Sequence, residues 1–309
     1  MRSKAAAPVP AGVDAVSPLD PDHLGPEAVR RYLRDHNLRT RRRYSQSFLA
    51  DGEVVRSIVA AAGPAPGRRV LEIGPGLGIL TGPLLEAGAA VTAIEIDRDL
   101  VAHLRLRFRD ALARAERREE HGSLRLLEAD ILDTPIESVV APPYDLAANL
   151  PYHITSPVLH RVLGAGSRPE RLTLMLQREV AERITSPPGG MSYLSVFVQY
   201  HADVEIVRIV PASAFEPQPE VESAVVHGAT REGRLRGAAE DELWRLVQAG
   251  FRERRKMIHN VLARQLPGVD RARVLGALEA VGVDPNRRPQ TLSVGEWLAL
   301  ARALGPLDA

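Results

Sequence analysis

The chain has 309 residues, 45% of them apolar, with 40 basic and 39 acidic side chains and a formal net charge of +1. That is the composition of an ordinary soluble globular protein, long enough for one domain and an appendage. No run of about 18 apolar residues predicts a membrane span, and the absence of cysteine excludes disulfides and thiolate metal sites.

Residues 1–25 are rich in Pro, Ala and Gly and lack the apolar core of a secretory signal, so a disordered tail and a cytoplasmic location are expected. PEAVRRYLRDHN (26–37) reads as a short helix, with Pro26 suited to its first turn. Arg39, Arg41, Arg42 and Arg43 follow, crowded before Tyr44. In the next stretch Val54, Val55, Ile58, Val59 and Ala62 fall on one helical face, and Gly63-Pro64 ends it.

An alternation then begins. RRVLEIG, AVTAIEI, LRLLEAD, DLAAN and RLTLMLQ read as strands. Between them LGILTGPLLEAG, a long helix over 99–120, TSPVLHRVLG and REVAERI read as helices. Alternating strands and helices predict a mostly parallel sheet covered on both faces, a Rossmann-like α/β fold. YLSVFVQYHADVEIVRIV (193–210) reads as β-rich throughout and, with VESAVVHGA, as antiparallel strands added at one edge. After about Ala229 four helical patterns predict a small all-α domain, giving a tail at 1–25, a catalytic domain at 26–229 and a helical domain at 230–309.

Glu72-Ile73-Gly74-Pro75-Gly76-Leu77-Gly78 lies between a strand and a helix. Glycines there let the chain turn tightly and let a ligand lie against the backbone. They stand at alternate positions, with Ile79 where the third dinucleotide glycine would be. The loop, including Gly74 and Gly76, therefore resembles that of S-adenosylmethionine-dependent methyltransferases. Glu95, ending the next strand, is placed to accept from ribose hydroxyls, and Asp130, ending the third, from an adenine amino group, with Ile131 packing on the ring. Read singly, Glu95 is a solvated strand end and Asp130 a helix cap; their order at successive strand ends favours one cofactor crevice.

Asn149-Leu150-Pro151-Tyr152 ends the fourth strand beside that crevice. It resembles the Asn/Asp-Pro-Pro-Tyr motif of methyltransferases acting on exocyclic amines. The Asn149 side-chain oxygen and the Leu150 or Pro151 carbonyl can accept from such an amine, and Tyr152 can stack on an unstacked base, worth about 1–3 kcal/mol. The bland alternative is a turn after a strand. Phe215, in a proline-stiffened loop, is a candidate for the opposite wall of the base pocket, the bland alternative being a core residue.

In order, YSQSFLAD (44–51), EIGPGLGILT (72–81), IEID (94–97), EADI (128–131), NLPYHI (149–154), FEPQPEVESAVV (215–226) and FRERRKMIHNVL (251–262) resemble the ribosomal RNA adenine dimethyltransferases, most closely the bacterial small-subunit (KsgA/RsmA) family, over about residues 28–304. The resemblance implies dimethylation of two adjacent adenosines near the 3′ end of small-subunit ribosomal RNA, late in assembly, with S-adenosylmethionine as donor. It implies cofactor contacts from Leu49, Gly74, Glu95, Asp130 and Asn149, and target placement by Asn149, Pro151 and Tyr152. The implied partner is ribosomal RNA in a pre-ribosomal particle; a monomer without metal is expected. Arg41, Arg42 and Arg43, and Arg254, Arg255 and Lys256, are candidates for flanking phosphates.

The chain departs from that family at Ser45, in place of a glycine, and at Ser47, in place of a cofactor-contacting amide. It departs again in SPPGGMSYLS and at Gln290, where glutamate is usual. Three other readings stay open: a large-subunit adenine methylase conferring macrolide resistance, an assembly factor without catalysis, and a nicotinamide dehydrogenase.

Overall fold

The structure is a computed structural model and describes residues 17–41, 46–232, 235 and 237–307. Its frame is a seven-stranded sheet of β2 (Arg69–Ile73), β3 (Ala90–Glu95), β4 (Leu124–Glu128), β5 (Asp145–Asn149), β6 (Arg171–Gln177), β7 (Ala202–Val210) and β9 (Ser223–Thr230), in the order β4-β3-β2-β5-β6-β9-β7. The pairs from β4 through β6 are parallel, and β9 lies antiparallel between β6 and β7. The order reverses between β2 and β5, so their carboxyl ends open a crevice at the switch point.

Side chains alternate across the sheet as the pleat requires. Leu71, Ile73, Leu146, Ala148, Leu174 and Leu176 join one core with α6 (Thr155–Leu163) and α7 (Arg178–Ile184). Val70, Ala147, Met175 and Val225 join another with α2 (Gly52–Ala62), whose N-terminus is capped by the Asp51 carboxylate. α1 (Pro26–Asp35) and β1 (Phe48–Leu49), which pairs with β8 (Phe215–Glu216), close this face.

Four expectations need correction. The tail expected to reach residue 25 is already packed at Leu19, which is 1% exposed in the second core; residues 1–16 lie outside the described residues. The long helix over 99–120 is two helices, α4 (Arg98–Arg107) and α5 (Arg109–Glu116), broken at Phe108. The Phe108 ring turns in beneath the Arg107 guanidinium and against Gly78, where an added Cβ would stand 2.4 Å from it. The helix expected from residue 77 is confined to α3 (Thr81–Glu86). Finally, Tyr193–His201 is a helix, α8, not a strand. Ser192 and Ser195 cap it reciprocally, and nearly every side chain is buried, polar Ser195 and His201 included, so the run lacks the exposed polar stripe that would betray a helical period.

The helical part comprises α9 (Ala238–Phe251), α10 (Ile258–Gln265), α11 (Arg271–Ala280) and α12 (Val294–Leu304). It shares a core with Met191, Val196 and Tyr200 from in and around α8. Trp244 of α9 packs its ring among Tyr193, Phe197, Tyr200 and His201. Two departures from the family pattern meet here: the Gly189 N–H donates to the Gln290 carbonyl at 2.8 Å, and the Gln290 Oε1 is buried without a protein partner.

Candidate active site

The carboxyl ends of β2, β3 and β5 surround a cavity of about 420 Å³, walled on the far side by the segment from Gln46 to Leu49 and by Phe215. Gly74, Gly76 and Gly78 all take positive φ, +67°, +59° and +78°. At Gly76 an added Cβ would stand 3.2 Å from the Phe48 ring, so this backbone is both left-handed and closely approached. The Gly76 N–H donates to Glu95 Oε2 at 3.1 Å and the Asp97 N–H to Oε1 at 2.9 Å. Glu95 is 5% exposed; burial raises its pKa, opposed by those two N–H groups.

Glu72 is deeper. Its carboxylate accepts from the Thr81 hydroxyl at 2.8 Å, and burial pushes its pKa up to about 8 despite that bond. The carboxyl is therefore mostly protonated at neutral pH, which avoids a second buried charge beside Glu95. Asp130 is half-buried and accepts from the Leu132 N–H at 2.8 Å, holding the turn after β4.

Asn149, Leu150, Pro151 and Tyr152 all line the cavity. The Pro151 carbonyl already accepts from the Ile154 N–H at 3.1 Å and the Thr155 hydroxyl at 3.4 Å, which occupies both lone pairs. Of the two carbonyls considered from sequence, that leaves Leu150 as the acceptor with capacity for a ligand. The Tyr152 hydroxyl shares a hydrogen bond with Ser223 Oγ at 2.8 Å, which tethers a half-buried ring at the cavity rim. Phe215 is 2% exposed and belongs to the second core, so it serves as wall and packing at once.

The structure brings Ser47, Leu49, Gly74, Gly76, Glu95, Asp130, Asn149, Pro151, Tyr152 and Phe215 to one cavity. The basic residues are not among them. Arg41 is engaged by the carboxylates of Asp97 and Asp99, so a phosphate would have to compete with both. Arg42, Arg43, Tyr44 and Ser45 lie outside the described residues. Arg254, Arg255 and Lys256 are exposed on the turn after α9, away from the cavity lining.

Several cavity residues carry no role in the sequence reading, Gln46, Phe48 and Ile96 among them. Gln46 and Phe48 belong to the wall segment, and Ile96, next to Glu95, is an apolar side chain left 41% exposed on the cavity. A large aliphatic residue directly after the acidic strand end was the available signal for Ile96. For Gln46 the signal was its place in YSQSFLAD, while its partner, fifty-one positions away, was not legible.

A cofactor fits these residues: a glycine backbone without Cβ atoms, a buried carboxylate and an exposed aliphatic side chain share one concave wall. Among the described residues no helix is long and apolar enough to cross a membrane, and no cluster of His, Asp and Glu offers metal-ligand geometry.

Comparisons with known proteins agree with the geometry. The profile of the ribosomal RNA adenine dimethylase family matches residues 37–304. Ribosomal RNA small subunit methyltransferase A of Anaeromyxobacter sp. (strain K) is 41% identical over 281 residues, 89% of this chain and 97% of that protein. The protein of the same name from Dehalococcoides mccartyi (strain ATCC BAA-2100 / JCM 16839 / KCTC 5957 / BAV1) is 38% identical over 275 residues, 88% of this chain and 91% of that one. Among solved structures, the 23S rRNA methyltransferase ErmE superposes with a TM-score of 0.65 at 30% identity, covering 83% of this chain and 99% of its own. A dimethyladenosine transferase from Plasmodium falciparum superposes with a TM-score of 0.68 at 26% identity, covering 82% and 95%.

Proposed function

The chain belongs to the ribosomal RNA adenine dimethylase family and is an adenine dimethyltransferase of ribosomal RNA, and from that premise we propose its substrate and the roles of its site residues. The substrate is small-subunit ribosomal RNA in a pre-ribosomal particle, methylated on the exocyclic amines of two adjacent adenosines near the 3′ end. Amine methylation rests on the placement of Asn149-Leu150-Pro151-Tyr152 on the same cavity as the glycine loop and Glu95, and the choice of small-subunit RNA on the likeness to ribosomal RNA small subunit methyltransferase A.

S-adenosylmethionine, when bound, supplies a methyl group on a sulfonium that a nitrogen nucleophile can take. Gly74 and Gly76 would give it backbone to lie against, Glu95 would accept from its ribose, Ile96 and Ile131 would pack on its adenine, and Asp130 would accept from the adenine amine. Leu49 and Ser47 would hold it from the N-terminal segment.

The target amine is a poor nucleophile because its lone pair is delocalised into the ring. The Asn149 side-chain oxygen and the Leu150 carbonyl accept its hydrogens and favour a pyramidal nitrogen. Tyr152 stacks on the unstacked base while Ser223 fixes its tilt. No strong base is needed, because the amine becomes acidic as it is methylated; catalysis is mainly placement. The helical domain, 230–309, binds RNA through Arg254, Arg255 and Lys256.

The test is mass spectrometry of small-subunit and large-subunit ribosomal RNA nucleosides after incubation with the protein and S-adenosylmethionine. Dimethyladenosine is expected in the small-subunit RNA alone, and Asn149→Ala is expected to cut its rate by about 100-fold or more. Methylation confined to large-subunit RNA would establish the second reading, which the likeness to ErmE favours. A wild-type rate in Asn149→Ala would refute the catalytic assignment.

A further inference from the structure

The helical part carries a second cavity, of about 340 Å³, far in sequence from the glycine loop and lined by Lys256, Asn260, Ala263, Arg264 and Arg271. Its walls come from the turn after α9, from one face of α10 and from the start of α11. Three cations face one small concavity.

Two of those cations are held in place. His259 is 6% exposed, and its Nδ1 lies 2.7 Å from the Pro285 carbonyl oxygen. A carbonyl can only accept, so Nδ1 carries the proton and Nε2 presents a lone pair. The Arg271 guanidinium donates one N–H to that lone pair at 3.2 Å. One end of Arg271 is thus spent on a buried ring, while the rest of the fork is left at the cavity.

Arg264 is anchored similarly. Its Nε donates to the Asn260 carbonyl at 3.2 Å and one terminal nitrogen to Glu253 at 2.8 Å, while Gln265 holds the other Glu253 oxygen at 2.9 Å. Glu253 offsets one of the three positive charges and leaves the concavity with a net excess of two. Anchored guanidinium groups lose little side-chain freedom on binding and present their donors in a fixed plane, which suits a phosphate oxygen pair.

We propose that Arg271, set by His259, and Arg264, with Lys256 and Asn260, form a preorganised clasp for one phosphodiester of the RNA strand. This rests on the reading of the chain as a ribosomal RNA methyltransferase. The exposed turn that carries Arg254 and Arg255 runs directly into Lys256, so the clasp continues a basic strip, as a phosphate backbone requires and a single acidic side chain does not. His259 is a positioning residue in this scheme.

The test is the binding of protein-free small-subunit ribosomal RNA by the full chain across a series of KCl concentrations. Arg271→Gln is expected to raise the Kd about three- to tenfold, and to lower the slope of log K against log[salt] by about 0.7–0.9, the share of one lost phosphate contact. Arg271→Lys should restore the slope but not the affinity, and His259→Phe should weaken binding with the slope nearly kept. In methyl transfer to immature small-subunit particles Arg271→Gln should act on KM more than on kcat, with thermal unfolding confirming the fold.

A slope unchanged in Arg271→Gln, with wild-type RNA binding intact, overturns the clasp and leaves the methyltransferase reading standing. So does a loss of affinity seen only on protein-bearing particles, which would mark an acidic peptide as the occupant. A wild-type protein that methylates immature small-subunit particles but does not bind the protein-free RNA overturns the clasp alone, and one that methylates neither the particles nor the RNA overturns the substrate reading and the clasp together.

Discussion

Gln46 Nε2 donates to Asp97 Oδ2 at 3.0 Å, joining the N-terminal wall of the cavity to the second residue past its acidic strand end. The same carboxylate is 1% exposed, caps α4 through the Asp99 N–H and pairs with Arg41. Gln46 Oε1 in turn accepts from the Arg41 N–H at 2.7 Å. Asp97 also donates its own N–H to Glu95, so wall and acidic strand end are one hydrogen-bonded unit.

The double-mutant cycle of Gln46→Ala and Asp97→Ala should therefore show a coupling of about 1.5–3 kcal/mol in urea unfolding, as for a hydrogen bond to a buried charge. Each single variant should also weaken cofactor binding in isothermal titration. Additive effects would show that the wall stands without this bond.

Gly76→Ala forces a side chain into a left-handed backbone and against Phe48. Stability should fall by about 1–2 kcal/mol. The cofactor Kd should rise by about tenfold or more, because the Gly76 N–H that orients Glu95 must move. Calorimetric titration and thermal unfolding check the two effects separately.

Glu72 contributes to the pH dependence with the opposite sign from most carboxylates. Burial raises its pKa to about 8, so between an unfolded value near 4.5 and that point the folded chain keeps a proton that the unfolded chain has lost. Its contribution to stability thus declines as pH rises across that window. Glu72→Gln keeps an acceptor for Thr81 without the titration. Its stability relative to wild type should grow from pH 4.5 to pH 8, by roughly 2–4 kcal/mol at most.

Asp145 behaves in the usual way. It is 3% exposed at the far end of β5, and burial would raise its pKa. The bidentate bonds from Arg68, at 2.7 Å, and the bond from Arg171, also at 2.7 Å, outweigh burial and hold it below the ordinary value. Its stabilisation is present above about pH 4 and is lost as pH falls through the folded-state value. Asp145→Asn should cost about 3 kcal/mol at neutral pH, since it leaves two half-buried guanidinium groups short of a partner. The gap from wild type should close in acid, as followed by urea midpoints.

Tyr152→Phe keeps the ring and loses only the bond to Ser223, so methyl transfer should change by less than about threefold. Tyr152→Ala removes the stacking surface and should cost about 1–3 kcal/mol in kcat/KM. Equal effects of the two variants would shift the role from ring to hydroxyl.

Much of the site was legible because each element carries its own local signal. A glycine loop between strand and helix, acids at successive strand ends and a polar amide before a proline are short-range patterns with a direct steric or hydrogen-bonding reason. That Gly74, Glu95, Asp130 and Asn149 converge on one crevice could be read from the sequence. Strand order followed in part, since alternation of β and α demands parallel pairing.

Other features belong to packing between distant segments. Tyr193–His201 is buried on nearly every side, and its packing against both α7 and the C-terminal helices goes with helix rather than strand. The helix breaks at Phe108, whose ring fills the space left by the missing Cβ of Gly78, thirty positions earlier. Arg41 stands in a basic run, yet two carboxylates from beyond β3 take its charge. His259 looks like any helical histidine until Pro285 fixes its proton and turns its free lone pair to Arg271. Residue type and spacing decide what a side chain is able to bind; which partner it meets is decided by the folded chain, because burial and hydrogen-bond geometry are set by residues that are neighbours only in space.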